Sequence, residues 1–328
     1  MAISGRRLTR TTRSGSKPRV LLVDDHRQLL DAVAAMLSAD FTVVGTMTDG
    51  RQAVDAVPAL EPDVIVLDVD MPGFDGFRTL EALQQGSAPA PPVVFLSVHQ
   101  SDDTVLAAFR CGGKGYVQKS RAGRDLSTAL EQALLGRLFV PSLESLSAMA
   151  TGSTHAMQLH VGLKPFLDSL ANFFHHSLRR GDATCAIVTP PIRDALNERL
   201  RARGWDTSGH RRYRVSDAFE GSRRIMRDGL PDAGVLAEIV GELEDYRATC
   251  AEGETPRLTL FGMLAVPLSE EGNTAATLAV ERAWNRLTGA LPFLTICGYE
   301  TSCFHDDAPG LLPSVYAEHV MIAHASDV

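Results

Sequence analysis

Three short runs constrain this chain most: the apolar cores of "RVLLVDD", "DVIVLD" and "PPVVFLS", at Val20–Val23, Val64–Leu67 and Val93–Leu96. None contains a polar residue, and each ends in Asp or Ser. A strand with one wet face alternates apolar and polar side chains, whereas these runs do not alternate at all. They are therefore expected to be buried on both faces, as in a parallel sheet covered by helices. The intervening segments supply those helices. "QLLDAVAAMLS" puts apolar residues at 29, 30, 33, 36 and 37, and "DLSTALEQALLG" at 126, 129, 130, 133 and 134. "FTVVGTM" and "GYVQK" add two further strands. "DGRQAVDAV", with Asp49 as its N-cap, "FRTLEALQQ" and "DDTVLAAFRCGG" add three further helices. Five strands alternating with five helices over about 120 residues predict a doubly wound βα architecture.

A length of 328 residues suggests two domains. The net charge of −8 argues against nucleic acid as the general partner. Five cysteines without a CxxC motif argue against a disulfide framework and fit a reducing cytoplasm. No apolar run reaches the roughly 18 residues of a membrane span. The first residues carry Arg6, Arg7, Arg10, Arg13, Lys17 and Arg19 without an acid or an apolar core. They read as a solvated, disordered tail over residues 1–17, the alternative being a basic arm for an acidic partner.

The strand ends carry the chemistry. In a sheet of order 2-1-3-4-5, ligands bind at the carboxyl ends of the strands. Here those ends present Asp24 and Asp25, Asp68, Ser97 and Lys119. Three converging carboxylates repel one another. One divalent hard cation and one ammonium balance their charge. Mg²⁺ uses one or two carboxylates, water and phosphate oxygen, leaving Asp68 as a nucleophile able to form an acyl phosphate. The bland reading, that each Asp is a turn residue or helix cap, suits Asp75, Asp102 and Asp103 better than this set.

These residues resemble the CheY-like receiver domain of bacterial two-component response regulators, a flavodoxin-like (βα)5 fold. "LLVDDH" is similar to its acid pair, "LDVDMPGFDG" to its phosphoacceptor motif, "FLS" to its hydroxyl motif and "GYVQKS" to its lysine motif. The resemblance implies a histidine kinase as donor and Asp68 as acceptor. It implies Mg²⁺ on Asp25 and Asp68, with Asp24 acting through water and the Asp70 backbone carbonyl completing the protein ligands. It also implies Ser97 and Tyr116 as switch residues, and a face of helix four, strand five and helix five that changes on phosphorylation and offers a homodimer contact. Asp70 and His99 would tune dephosphorylation, Asp70 by either orienting or repelling water. Ser120 follows Lys119 where many receivers have proline. No turnover beyond slow self-catalysed phosphotransfer and dephosphorylation is implied. A haloacid-dehalogenase-like hydrolase also uses Asp-x-Asp, but normally after its first strand, where this chain has a double Asp instead.

The second half is again α/β. "ATCAIVTP", "YRVSDA", "RLTLFGMLAVP" and "FLTICGY" read as strands. "LKPFLDSLANFFHHSLRRG", "IRDALNERLRARG", "FEGSRRIMRDG", "VLAEIVGELEDYRATC" and "NTAATLAVERAWNRLTGAL" read as helices, with a last helix near Val315–Ala323. Thr189-Pro190-Pro191 stands where a nucleotide-binding loop would need backbone N–H donors, which predicts no ATPase. The stretches "HAMQLH", "HHSLRRGDATCAIVTPPIRDALNERLRARG", "RRYRVSDAFE", "LTLFGML", "EGNTAATLAVERAWNRL" and "FLTICGY" resemble the MEDS sensory domain. That resemblance implies a degenerate RecA/KaiC-type fold that senses small ligands or relays signals. Met263 stands where that family is expected to carry an acid.

His155, His160, His175, His176, Cys297, Cys303 and His305 lack a recognised zinc spacing and read as core or solvated residues. Trp284 and Phe293 read as core. Arg199, Arg201, Arg203, Arg211, Arg212 and Arg214 read as a solvated face, the alternative being a site for an anion or an acidic partner. The expected organisation is a tail over 1–17, a receiver over 18–138, a linker over 139–153 and a MEDS-like output over 154–326. The expected function is a cytoplasmic, phosphorylation-switched regulator whose output binds a protein or small ligand, with neither membrane nor nucleic acid as partner. The alternative is a transcriptional regulator that reaches DNA through its tail or a partner.

Overall fold

The computed structural model describes residues 16–86, 88–150, 152–160, 162–304 and 311–324. The expected disordered tail, through residue 15, and His305 lie outside the described residues. The chain divides into two compact units, Met1–Gln100 with Ala107–Gly136, and Ser101–Leu106 with Arg137–Val328. Among the described residues, no helix is long and apolar enough to cross a membrane.

The first unit alternates as its sequence pattern predicts. Its elements are β1 (Arg19–Val23), α1 (Arg27–Leu37), β2 (Thr42–Met47), α2 (Gly50–Leu60), β3 (Val64–Asp68), α3 (Gly76–Gln84), β4 (Val93–Ser97), the second half of α4 (Asp102–Arg110), whose first half groups with the second unit, β5 (Gly115–Gln118) and α5 (Ala122–Leu134). The strands pair in parallel in the order β2-β1-β3-β4-β5. Every residue of β3 and β4 is buried, as expected of strands covered on both faces. Asp49 caps α2 by accepting from the backbone N–H of Arg51 at 2.7 Å and of Gln52 at 3.3 Å. Asp75 caps α3 through the N–H of Arg78 at 2.8 Å. Ser101 Oγ, rather than Asp102 or Asp103, accepts from the first turn of α4, at Thr104 N.

The second unit contains β6 (Leu138–Val140), α6 (Leu143–Met149), β7 (Thr154–His160), α7 (Leu163–Arg179), β8 (Ala183–Val188), α8 (Pro190–Ala202), β9 (Tyr213–Asp217), α9 (Ala218–Ile225), β10 (Met226–Arg227), β11 (Leu230–Pro231), α10 (Ala233–Thr249), β12 (Leu258–Gly262), α11 (Val266–Glu270), α12 (Thr274–Thr288), β13 (Phe293–Glu300), α13 (Leu311–Ala317) and β14 (Met321–His324). Its large sheet is wholly parallel, in the order β6-β14-β7-β13-β12-β8-β9. Phe166, Leu170, Phe173 and Phe174 of α7 are buried in its core, as are Trp284 and Phe293.

Several local expectations are corrected. The stretch expected to be a linker carries β6 and α6: Phe139, Val140, Leu143 and Leu146 are buried, and Ser142 caps α6. The helix expected from Phe219 to Gly229 ends at Ile225, and residues 226–231 form a hairpin. Asp228 (φ 51°) and Gly229 (φ 81°) are both left-handed, the backbone of a tight two-residue hairpin turn. The strand expected through Pro267 stops at Gly262 and is followed by α11. The last helix ends at Ala317, and residues 321–324 form a strand. Pro190 and Pro191 open α8, where a missing N–H costs nothing.

One glycine fixes the loop after β3. A Cβ at Gly76 would lie 2.2 Å from the carbonyl oxygen of Asp68, a backbone atom that cannot swing aside. Gly76→Ala is expected to destabilise the first unit by about 2 kcal/mol, read as a lowered urea midpoint of the full chain.

Candidate functional site

The carboxyl ends of β1, β3, β4 and β5 deliver the predicted side chains to one crevice. Asp24 and Asp68 are each 3% exposed, which is costly for carboxylates without a partner. Lys119, just past β5, supplies that partner. Its ammonium lies 2.7 Å from Asp24 Oδ2 and 2.9 Å from Asp68 Oδ2. Asp24 Oδ1 accepts the backbone N–H of His26 at 2.9 Å. Asp25 is half-buried, and its Oδ1 lies 2.8 Å from His26 Nδ1. Ligand atoms of Asp24, Asp25, His26 and Asp68 all lie within 4.8 Å of one another. His26 was not singled out from sequence, although it directly follows the acid pair.

The electrostatics follow from burial. Asp68 is raised from its ordinary value, first by burial and further by Asp24, against the opposing pull of Lys119. Burial alone would lower the Lys119 ammonium, but Asp24 and Asp68 outweigh it and hold it above its usual value.

A second layer sits beside these acids. Ser97 is fully buried, and its Oγ accepts the N–H of His99 at 3.1 Å. Tyr116 is fully buried, and its hydroxyl donates to the His99 carbonyl at 3.0 Å. Burial raises this phenol above its normal pKa. His99 Nε2 lies 2.7 Å from Asp70 Oδ2, so the two residues expected to act on water form one exposed pair. Lys119–Arg121 is a 3₁₀ turn leading into α5, and the described backbone has no cis peptide.

The candidates of the second unit fare differently. Arg199 pairs with Asp168 at 2.7 Å, and Arg211 and Arg212 both reach Glu252. Arg203 donates to Asn172 Oδ1, Arg201 to Thr207 Oγ1, and the Arg214 guanidinium lies over the Tyr246 ring. These side chains tie loops and helices together, and apart from Arg211 and Arg212 at Glu252 they do not converge on one target. His175 accepts from the Trp205 indole, and His176 lies 2.8 Å from the Asn172 carbonyl. Cys303 is buried, while His160 is stacked on Phe166 and lowered by burial to about 4. His155 and Cys297 do come together, with Glu281 and His319, which the sequence did not single out. Met263 is buried and lines a cavity with Glu281, Cys297 and Tyr299.

Comparison with known proteins agrees with this division. Residues 20–131 match the family model of the response regulator receiver domain. Residues 154–310 match that of the MEDS (methanogen/methylotroph, DcmR sensory) domain. The nitrate/nitrite response regulator protein NarL of Escherichia coli K12 is 37% identical over 139 residues, covering 42% of this chain and 63% of that protein. A protein-glutamate methylesterase/protein-glutamine glutaminase 2 of Cereibacter sphaeroides is 32% identical over 174 residues, covering 48% of this chain and 47% of that protein. The chain thus spans less than two thirds of the length of both relatives. The solved receiver domain of RcsB from Salmonella enterica serovar Typhimurium is 26% identical with a TM-score of 0.37, over 42% of this chain and all of that one.

A stability prediction follows from the crevice. Because Asp68 sits above its ordinary value, the folded unit binds this proton more tightly than the unfolded chain does. The associated stability is present at low pH and is lost as pH rises through the carboxylate range and above it. In metal-free buffer at neutral pH, Asp68→Asn is expected to raise the urea midpoint, by on the order of 1 kcal/mol. Near pH 3 the variant and the parent chain are expected to converge.

Proposed function

Because residues 20–131 are a response regulator receiver domain and residues 154–310 a MEDS domain, we propose that this chain takes a phosphoryl group from a histidine kinase onto Asp68. The MEDS domain is then the output, binding a protein partner or a small ligand in the cytoplasm. The observation that carries the reading is the Lys119 ammonium held between two buried strand-end carboxylates, with Asp25 beside them.

The donor set fits Mg²⁺, since it is built from carboxylate oxygen, the choice of a hard cation. Asp25, Asp68 and the Asp70 carbonyl would hold the ion, with Asp24 acting through water. When bound, it supplies charge neutralisation for the incoming phosphoryl oxygens. The remaining work falls to the chain. An Asp68 carboxylate oxygen attacks phosphorus in line, forming an O–P bond as the P–N bond of the donor phosphohistidine breaks. Lys119 favours the ionised form of Asp68 against the larger cost of burial and then pairs with a phosphoryl oxygen. Ser97 offers its hydroxyl to another.

That last contact suggests the switch. Ser97 Oγ now holds the His99 N–H, and the His99 carbonyl holds the Tyr116 hydroxyl. Turning Ser97 towards a phosphoryl group releases His99, and with it the anchor of the Tyr116 ring. The face of α4, β5 and α5 therefore changes together, and we assign any homodimer contact to it. In this reading the receiver occupies residues 18–138 and the output residues 154–326.

The test is labelling of the full chain by acetyl phosphate. Incorporation is expected to require Mg²⁺ and to vanish in Asp68→Ala. Lys119→Met is expected to slow it roughly 10²-fold. Undiminished labelling of Asp68→Ala would overturn the proposal.

A further inference from the structure

The second unit buries a polar cluster that the reading above does not use. His155 comes from β7, Glu281 from α12, Cys297 from β13 and His319 from the turn before β14. One ligating atom of each lies within 4.8 Å of all the others. The pairing of β7 with β13 sets Thr295 opposite His155 and Cys297 opposite Met157, so His155 and Cys297 share a face of the sheet. Helix α12 covers that face with Glu281 and, one turn later, Asn285.

The hydrogen bonds fix both histidine tautomers. Asn285 Nδ2 donates to the Glu318 carbonyl at 2.7 Å, so its Oδ1 is the atom 2.8 Å from His155 Nδ1. An amide oxygen only accepts, so His155 Nδ1 carries the hydrogen. His319 Nδ1 lies 2.7 Å from the Val315 carbonyl and carries its hydrogen for the same reason. In the neutral rings, both Nε2 lone pairs therefore face Glu281 Oε2, at 3.3 and 3.4 Å. Glu281 Oε1 is already taken by the Tyr299 hydroxyl. His319 is fully buried, and its Nε2 has no hydrogen-bond partner. Lone pairs aimed at a carboxylate oxygen in a dry interior repel one another unless positive charge lies between them.

A metal ion supplies the charge at the right size. A tetrahedral zinc site, with bonds of about 2.0–2.1 Å to nitrogen, 2.0–2.2 Å to oxygen and 2.3 Å to sulfur, has ligand–ligand edges of roughly 3.3–3.6 Å. The two His–Glu edges fit, as does the 3.5 Å edge from Cys297 Sγ to Glu281 Oε2. The His155 Nε2 to Cys297 Sγ edge is 3.1 Å. Each histidine has its outer nitrogen on an oxygen acceptor, as a zinc ligand usually does; the inner nitrogen of His319 has no hydrogen-bond partner, and that of His155 meets the Cys297 sulfur. One thiolate and one carboxylate neutralise a dication. Soft sulfur with two imidazoles selects zinc over magnesium or calcium.

We propose that His155, Glu281, Cys297 and His319 form a closed, structural site for one Zn²⁺ ion. Binding forms four bonds to the metal and releases the Cys297 thiol proton to solvent; no electron moves. The adjoining cavity, lined by Glu281, Cys297, Tyr299 and Met263, holds only about 20 Å³, room for little more than one water, so four protein ligands close the site.

The experiment uses the full chain, purified without a metal-binding tag, given Zn²⁺ and then gel-filtered. About one equivalent of zinc per chain is expected by elemental analysis. Exchange for Co²⁺ is expected to give intense tetrahedral visible bands with a thiolate-to-cobalt charge-transfer band. That charge-transfer band should disappear in Cys297→Ser, and His319→Gln should cut zinc retention severalfold. Circular dichroism checks that each variant folds. A folded parent chain that retains no stoichiometric Zn²⁺ or Co²⁺ overturns the proposal, as does a charge-transfer band that survives in folded Cys297→Ser. If either variant fails to fold, the parent stoichiometry and cobalt spectrum still decide the question.

Discussion

One ammonium group holds the first unit's crevice together. Asp24 and Asp68 end neighbouring parallel strands, and parallel pairing forces those ends to the same edge of the sheet. Two carboxylates buried that closely cannot both ionise without a counter-charge. Lys119 arrives from β5, two strands away, and touches both. Stripping a buried ion pair of one partner typically costs about 3–5 kcal/mol, because the remaining charge is left unpaired in a dry site. The same geometry that makes the crevice expensive makes it receptive to more positive charge.

The first unit was legible because its signals are local. Wholly apolar runs such as Val64–Leu67 announce strands, and the polar residue after each announces an end. The second unit hid one of its inner strands. Residues 154–160 are all buried, yet they read Thr-His-Ala-Met-Gln-Leu-His, so burial left no hydrophobic trace in the sequence. Phe139 and Val140 were too short a run to stand out from their Ser-rich surroundings. Asp228-Gly229 did carry a hairpin signal, masked by the helical pattern before it.

Site residues divide along the same line. Asp24, Asp25, Asp68, Ser97 and Lys119 each follow a recognisable strand, so topology alone brings them to one edge. His155, Glu281, Cys297 and His319 are spread over 165 positions, with no ligand pair at a familiar spacing. Their meeting depends on strand register and on which face of α12 is inward, and neither can be read from spacing. The arginines illustrate the converse: a dense cluster in sequence that ends on several local partners, with only Arg211 and Arg212 sharing one, Glu252.

The Asp70–His99 pair joins the loop after β3 to the loop after β4. The Ser97 hydroxyl and the Tyr116 phenol both hold the backbone of that same histidine. Positions 70 and 99 therefore do not behave as two separate dials. A substitution at one frees the other, so the effects of single changes should not sum when the two are combined, and a double-mutant cycle would read a single mechanical linkage.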